Sequence, residues 1–211
     1  MWAHRQSRFA RGFSRVTESV QRPLIYLIMA HSDPVNFHRL VAALQAPGVS
    51  FLAHIDSKAD QTAFAQDAPD NLHFVQERHS VAWGGISMID ALLTLFRAAL
   101  NNVPNASHYI LLTGSDYPLA SNTKIRKTLE KNSGRQLLKL LPVTEETGHY
   151  INLFRYRAFL EPTLLSAISP TADRAFRKIL RLLRLPNRWP IQMQPYVGHT
   201  WCALTPECCR Y

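Results

Sequence analysis

Three polar residues that could bind a ligand lie directly after apolar runs of this sequence. Asp116 lies in a Gly-Ser-Asp-Tyr-Pro turn that ends the run beginning at His108, and His31 and Asp56 end two earlier runs. Carboxylate and imidazole groups accept hydrogen bonds from polar ligands, and open α/β sheets bind ligands at the carboxyl ends of their strands. A structural alternative stands beside each: Asp commonly closes a turn, and a lone His after a strand commonly bonds within the fold.

The hydrophobic pattern predicts the elements that would carry these residues. Residues 24–30 predict a central strand, a helical spacing of apolar residues follows, and residues 50–56 predict a second strand. A right-handed βαβ unit would place His31 and Asp56 at the same carboxyl edge of a parallel sheet. The helical spacing is that of Phe37, Leu40, Val41 and Leu44, and further strands are predicted at 72–76, 108–113, 136–141 and 200–204, with a short basic helix at 123–129.

A glycine-containing loop at 80–87 holds Trp83, which is either a packing plug or a platform for a ring, and the residues alone favour packing. Ser87 is predicted to open a helix through a Ser-x-x-Asp capping pattern. The predicted buried face of that helix consists of Ile89, Leu92, Leu93, Phe96 and Leu100.

The composition is that of one folded domain: 46% of the 211 residues are hydrophobic and 18% are charged. No apolar run is long enough for a membrane span, and no signal peptide is visible. The three cysteines have neither metal-ligand spacing nor an even framework, so reduced thiols of a cytoplasmic protein are expected.

The net charge of +9 indicates an anionic partner, which could be a phosphate, a nucleic acid or a lipid surface. Residues 1–22 are interpreted as a basic arm, and residues 23–211 as the folded domain with an inserted region at 142–196. Within that region, residues 174–188 combine an apolar stripe with a basic face. Such a helix suits an anionic membrane, here the inner face of the cytoplasmic membrane, or packs on its own domain as an ordinary surface helix.

Five motifs in order resemble the core-2/I-branching glycosyltransferase family, which includes β-1,6-N-acetylglucosaminyltransferases and peptide O-xylosyltransferases. The resemblance covers about Leu24 to Tyr211 and implies a GT-A-like, Rossmann-like α/β fold with a mostly parallel sheet flanked by helices. It also implies a UDP-sugar donor, inversion at the anomeric carbon, a glycan or lipid-linked hydroxyl acceptor, and no metal ion or other cofactor. The motifs are IYLIMAHSDP, HID, SVAWGGIS, HYILLTGSDYPL and VGHTWCALTPE.

Carried across residue by residue, the resemblance implies a donor site and an acceptor site. Asp116 stands where related folds carry a metal-binding carboxylate motif, but a single carboxylate holds a divalent ion poorly, so a sugar contact is expected. His199 and Pro206 depart from the family pattern and leave the acceptor open. The implied donor residues are Met29, Ala30, His31, Asp56, Ser57, Lys58, Trp83 and Asp116, and the implied acceptor residues are Arg157, Gly198, His199 and Trp201.

The resemblance places the catalytic base, a Glu in a Pro-Asp-Glu-type motif, beyond Tyr211, together with the basic residues that neutralise the leaving diphosphate. The helix predicted after Thr205 also stops at once, so the sequence is expected to be truncated and inactive alone. A non-catalytic nucleotide-binding fragment or pseudoenzyme is the alternative. A nucleic-acid-binding protein is disfavoured, because the basic residues form no recognition module.

Overall fold

The computed structural model describes residues 22–144, 154–157, 161–186 and 194–210. The predicted basic arm, apart from Arg22, lies outside these residues. The strands are β1 (Leu24–Ala30), β2 (Val49–Ile55), β3 (Leu72–Phe74), β4 (His108–Thr113), β5 (Leu137–Pro142) and β6 (Tyr196–Leu204). The helices are α1 (Pro34–Leu44), α2 (Thr62–Ala65), α3 (Ile86–Asn102), α4 (Asn122–Lys131) and α5 (Pro170–Leu182), with 3-10 turns at Leu164–Ala167 and Cys208–Arg210.

The six strands form one sheet in the order β3-β2-β1-β4-β6-β5. β1 pairs in parallel with β2 and with β4, β2 pairs in parallel with β3, and β6 runs antiparallel to β4. The predicted α/β class, a mostly parallel sheet flanked by helices, is confirmed. Because β1 and β2 are joined through α1 and pair in parallel, their carboxyl ends meet at one edge.

The described residues divide into two compact units. The first contains residues 22–79, 91–138 and 200–210, and the second contains residues 80–90 with the described parts of 139–199. No helix among the described residues has the length and apolar character that a membrane crossing needs.

Both faces of the central strands in the first unit are buried, which explains why β1 shows no alternation of apolar and polar residues. Tyr26 and Ile28 belong to one buried cluster, and Ile25 and Leu27 belong to another. Tyr26 stacks on Phe51 of β2 with a centroid distance of 5.6 Å. The four residues predicted as the buried face of α1 are all buried, and they are Phe37, Leu40, Val41 and Leu44.

The predictions for α3 are partly wrong. The helix begins at Ile86, and its buried residues are Ala91, Thr94, Leu95 and Ala99. Ile89 and Leu93 are each 42% exposed, while Leu92, Phe96 and Leu100 pack at the edge of the cluster. Small residues face the sheet because they let the helix approach closely, which hydrophobicity alone does not reveal.

Three further differences from the sequence-based predictions concern β3, β6 and the basic helix of residues 174–188. β3 ends at Phe74, two residues earlier than predicted. β6 begins at Tyr196, four residues earlier than predicted. The basic helix predicted at 174–188 is α5, but it spans Pro170–Leu182 and so begins and ends earlier than predicted; its N-cap is Ser169, whose hydroxyl accepts from the Ala172 N–H.

Candidate functional site

Three parallel strands of the first unit deliver polar residues to one edge of the sheet. The backbone N–H of Asp56 donates to the Ala30 carbonyl at 2.8 Å, and the N–H of Gly114 donates to the Met29 carbonyl at 2.8 Å. The ends of β2 and β4 are therefore tied to the two sides of β1. His31 follows β1 directly and is exposed at this edge.

The side chain of Asp56 is nearly buried and is held by its own loop. Its Oδ1 accepts a hydrogen bond from the Lys58 N–H at 2.9 Å, and its Oδ2 lies 3.0 Å from Lys58 Nζ. Asp56 is 5% exposed, whereas 59% of the Lys58 side chain is exposed. This arrangement fixes a carboxylate at the edge and leaves an ammonium group and the exposed Ser57 beside it.

Arg78 holds the loop that carries Asp56, and the sequence analysis did not identify it. Its Nε donates to the Ile55 carbonyl at 2.9 Å, and its Nη2 donates to the carbonyls of Asp56 and Ala59 at 2.7 and 2.6 Å. All three bonds go to backbone atoms 19 to 23 residues away. No spacing of side chains along the sequence predicts such bonds. Arg78 therefore fixes the backbone on both sides of Asp56.

The turn after β4 lies against the end of β1. A Cβ added to Gly114 would lie 2.7 Å from the Cβ of Ala30, so this close approach requires glycine. The Gly114 carbonyl accepts a hydrogen bond from Asn36 Nδ2 at 2.9 Å. Backbone packing therefore sets the position of the residues that follow.

Asp116 closes this turn and also binds an aromatic side chain. Its Oδ2 accepts a hydrogen bond from the Thr113 N–H at 2.7 Å, as the structural alternative predicted. The same oxygen accepts a hydrogen bond from Nε1 of Trp201 at 2.8 Å. Trp201 lies on β6, whose register with Cys202 opposite Leu111 brings it to the carboxyl end of β4. A residue predicted for the donor site and one predicted for the acceptor site are thus in direct contact.

Trp83 and its loop belong to the second unit. Trp83 is 89% exposed, so the interpretation of this residue as a packing plug is wrong. The predicted capping role of Ser87 is also wrong: its Oγ accepts from the Ala82 N–H at 2.8 Å and donates to Glu161 Oε1 at 2.7 Å. Glu161 Oε1 also accepts from the Ser87 N–H at 2.8 Å. The sequence analysis did not identify Glu161, whose partner lies 74 residues away.

The remaining acceptor candidates also lie in the second unit. Arg157 has an exposed side chain, and its N–H donates to the Leu185 carbonyl at 2.9 Å. Gly198 packs so closely on the Lys139 carbonyl that a Cβ would collide with it. His199 is exposed on β6. Gly198 thus has a structural reason to be glycine, while Arg157 and His199 stay predictions.

The described residues contain no group of three His, Cys, Asp or Glu side chains that could hold a metal ion. At the carboxyl edge of the first unit lie two carboxylates, the exposed ammonium group of Lys58 and the half-exposed indole of Trp201. Such a set suits a polar ligand that contains hydroxyl groups or rings.

The sequence model of the core-2/I-branching enzyme family matches residues 24–211. The chain belongs to the core-2/I-branching enzyme family. The resemblance predicted from the five motifs is confirmed, and with it the assignment of this chain to a family of glycosyltransferases.

Known relatives of this core-2/I-branching chain are longer. It is 28% identical over 199 residues to an N-acetyllactosaminide β-1,6-N-acetylglucosaminyl-transferase of Mus musculus, covering 90% of this chain and 45% of that protein. It is 31% identical over 107 residues to the xylosyltransferase oxt of Drosophila pseudoobscura pseudoobscura, covering 48% and 12%. The chain thus spans less than half the length of these relatives.

Among solved structures, the chain is similar to a mannosyltransferase from Pyrobaculum calidifontis in complex with GDP-Man and Mn2+. The TM-score is 0.40 at 11% sequence identity, with 90% of this chain and 62% of the other covered.

Proposed function

We propose that this chain binds a UDP-sugar and that the protein transfers the sugar, with inversion and without a metal ion, to a hydroxyl of a glycan or another acceptor. The observation that carries the proposal is that Asp56 and Asp116 follow β2 and β4, whose carboxyl ends lie on the two sides of β1. The choice of N-acetylglucosamine or xylose as the sugar rests on the relatives, whose names specify these transfers.

The metal-free part of the proposal is supported by the bonds of Asp116. One carboxylate oxygen already accepts hydrogen bonds from Thr113 and Trp201. Calcium is bound by six to eight oxygen ligands and magnesium demands near-octahedral geometry, so a single carboxylate with one oxygen engaged is a poor anchor for either ion. The same bonds suit a carboxylate that orients a sugar.

Calorimetric titration of the chain with UDP, once in EDTA and once in manganese, tests donor binding. We expect binding in both buffers and a loss of about 1 to 3 kcal/mol in Asp56→Ala, because a nearly buried acceptor is removed. Asp70→Ala is the matched control, since Asp70 is exposed and precedes β3 at the opposite edge of the sheet. Binding only with manganese would overturn the metal-free proposal.

A second candidate is a nucleotide-binding protein without catalysis. It is favoured by the fact that both carboxylates of the edge are engaged by protein groups, Asp56 by Lys58 and Asp116 by Thr113 and Trp201. Carboxylates that the protein itself holds in one orientation are suited to holding a bound ligand in place. UDP release from UDP-N-acetylglucosamine, measured with and without a hydroxyl acceptor, separates the candidates: acceptor-dependent release supports the transferase, and binding without release supports the second candidate.

A peripheral contact with an anionic membrane, at the cytoplasmic inner face, is a further part of the proposal and rests on α5. Phe176, Ile179 and Leu183 recur at i, i+3 and i+7 and are 41%, 55% and 60% exposed. Exposed basic residues form another face of the helix, and they are Arg174, Lys178 and Arg181. Each basic residue near an anionic bilayer contributes about 1 kcal/mol of attraction, and exposed apolar residues can enter the interface.

Flotation with anionic and neutral vesicles across a salt series tests this membrane contact. We expect binding to anionic vesicles that weakens with salt and is reduced in Ile179→Ser/Leu183→Ser. Lys124→Gln/Lys127→Gln on α4 removes two positive charges elsewhere and serves as the control. Equal binding to both vesicle types, or binding to neither, would remove this part of the proposal.

A further inference from the structure

Helix α4 carries a row of lysines on its outer face. Lys124, Lys127 and Lys131 recur at i, i+3 and i+7, so they lie on one face of the helix. All three are exposed, and within the described residues no salt bridge joins any of them to an acidic side chain. The row extends roughly 10 Å along the helix axis. It is a linear cluster of positive charge that the described part of the chain does not neutralise.

The groove beside this row is lined by hydrogen-bond donors. It has a volume of about 330 Å³ and is lined by Ser121, Thr123, Lys124, Lys127, Thr128 and Lys131. These six residues supply three ammonium groups and three hydroxyl groups, and none of the six is acidic or apolar. The Ser121 hydroxyl accepts from the Lys124 N–H at 3.3 Å, so it keeps its own hydrogen for an anion. Ammonium and hydroxyl groups are donors that bind phosphate oxygens.

The backbone beneath the lysines is fixed on the core of the first unit. Leu129 is buried, and Ile125 packs against the same core cluster. Asn122 Nδ2 donates to two carbonyls at the end of α1, those of Ala43 and Gln45, at 3.1 and 3.0 Å. Because α1 ends where the chain turns back to the start of β2, α4 lies near the amino ends of the parallel strands. The groove is therefore separate from the carboxyl edge of the sheet.

The charges of α4 oppose one another and the helix dipole. Lys124 lies in the first turn, which contains no acidic residue and where the positive end of the dipole disfavours a cation. Lys127 is three residues from Lys124 and four from Lys131, and like charges at these spacings repel. An anion bound in the groove would relieve both effects. Binding of an anion is therefore coupled to the stability of the helix.

We propose that this groove binds an oligophosphate, a group of two or more phosphates linked in a row. Linked phosphates match the row of lysines in both charge and extension, whereas a single phosphate is too short to reach both of its ends. The lining has no exposed apolar residue that would enter a bilayer and no aromatic ring on which a nucleic-acid base would stack. The groove thus recognises the phosphate chain itself.

Two sources could supply this phosphate chain. It could be an inorganic oligophosphate or the phosphates of a nucleotide, and the interaction with the lysines is the same in both cases. Separate titrations with inorganic triphosphate and with ATP distinguish them. Equal affinities assign the groove to the phosphate chain alone, and a higher affinity for ATP assigns it to a nucleotide.

Calorimetric titration of the full chain with inorganic triphosphate in metal-free buffer is the main experiment. We expect saturable binding that is weakened about 3- to 150-fold in Lys124→Gln/Lys127→Gln/Lys131→Gln, because three exposed charge pairs are lost. Arg174→Gln/Lys178→Gln/Arg181→Gln is the matched control, since it removes the same number of charges from α5. The control should keep the wild-type affinity. An equal loss in both triple variants, or no binding by the wild-type chain, overturns the proposal.

Lys124→Glu tests the charge arrangement of α4. It places an acidic residue in the first turn and pairs it with Lys127, so the midpoint of thermal unfolding without ligand should rise by about 1 to 4 °C. The further rise that triphosphate gives the wild-type chain should be lost in this variant. Lys124→Glu with the triphosphate affinity of the wild type would contradict the proposal.

Two further measurements separate the groove from other binding surfaces. Asp56→Ala should bind triphosphate as the wild type does, and a loss in this variant would place triphosphate at the carboxyl edge and overturn the groove. UDP affinity that depends on Asp56 but not on the lysines keeps the donor proposal whether or not the groove binds. If polyglutamate or anionic vesicles bind through the three lysines and triphosphate does not, the face belongs to a macromolecule and the oligophosphate proposal fails.

Discussion

The backbone N–H of His79 donates a hydrogen bond to Nε2 of His54 at 2.9 Å, and the two imidazole rings stack with a centroid distance of 5.6 Å. The carbonyl of His79 also accepts from the Ser57 N–H at 3.0 Å. His79 thus ties the carboxyl end of β2 to the loop that carries Asp56. The bond to His54 requires an unprotonated Nε2, which makes this link sensitive to acid.

Acid should destabilise the chain through His54. This residue is 1% exposed, and burial, followed by the neighbouring His79, lowers the pKa of His54 below its ordinary value of 6.5, while Asp56 opposes the shift. Above pH 6.5 both folded and unfolded states are neutral at His54, so its contribution is full there. As pH falls below that value only the unfolded state gains the proton, and the free energy of unfolding falls by up to about 1.4 kcal/mol per pH unit.

Urea unfolding between about pH 7.5 and pH 5.5 measures this dependence. His54→Gln keeps an acceptor oxygen for the His79 N–H and removes the titrating ring, so the slope below neutral pH should decrease. Burial also lowers the pKa of His73, so His54→Gln/His73→Gln should flatten the profile further. An unchanged slope in His54→Gln would show that the acid sensitivity lies elsewhere.

Replacing Arg78 with lysine should loosen the Asp56 loop. A lysine is one point donor and cannot reproduce the bonds from Nε and Nη2 to the carbonyls of Ile55, Asp56 and Ala59. We expect Arg78→Lys to lower the free energy of unfolding by about 1 to 3 kcal/mol and to weaken UDP binding as well. Denaturant titration and calorimetry measure the two effects.

Arg126→Lys is the matched control for Arg78. Arg126 also donates to a backbone carbonyl, that of Pro47, at 2.9 Å, but the bond is exposed and lies away from Asp56. This variant should lose less stability and keep its UDP affinity. If both arginine variants behave alike, Arg78 has no special role in holding the Asp56 loop.

A methyl group at position 114 should press the Asp116 turn away from β1. The Cβ of Gly114→Ala would lie 2.7 Å from the Cβ of Ala30, and overpacking of this kind costs about 1 to 3 kcal/mol. Ala30→Gly removes the opposing methyl group. In a double-mutant cycle the Gly114→Ala penalty should therefore be smaller in the Ala30→Gly background. Equal penalties in the two backgrounds would mean that the two methyl groups do not meet.

The sequence predicts the strand-end placement of Asp56 and Asp116 because that placement depends on local patterns. Apolar runs, a helical spacing and Gly-Pro punctuation decide where β1, α1, β2 and β4 begin and end. The four predicted core residues of α1 are buried for the same reason. The α3 face differs because packing favours alanines at the sheet, and hydrophobicity alone ranks Ile89 and Leu93 above them.

The contacts that complete the site join residues distant in the sequence. Asp116 and Trp201 are 85 residues apart, and Arg78 reaches carbonyls about twenty residues back. No periodicity of apolar residues in the sequence predicts such pairs, because they depend on how the strands pair and where the loops turn. The family resemblance implies separate roles for Asp116 and Trp201. Only the fold shows that the two side chains share a hydrogen bond.

The three cysteines should differ sharply in reactivity. All three are free thiols: Cys208 is exposed, whereas Cys202 and Cys209 are partly buried against the α3 side of the sheet. Burial raises the pKa of Cys202 to about 11 and that of Cys209 to about 12. The thiolate is the reacting form, so at pH 8 roughly a thousandth of Cys202 is reactive.

A disulfide reagent should therefore modify one thiol rapidly in the folded chain and all three in urea, and Cys208→Ser should abolish the rapid phase. Rapid modification of two or three thiols without urea would show that the strand β6 and the turn after it open readily, which would also weaken the case for a fixed Trp201.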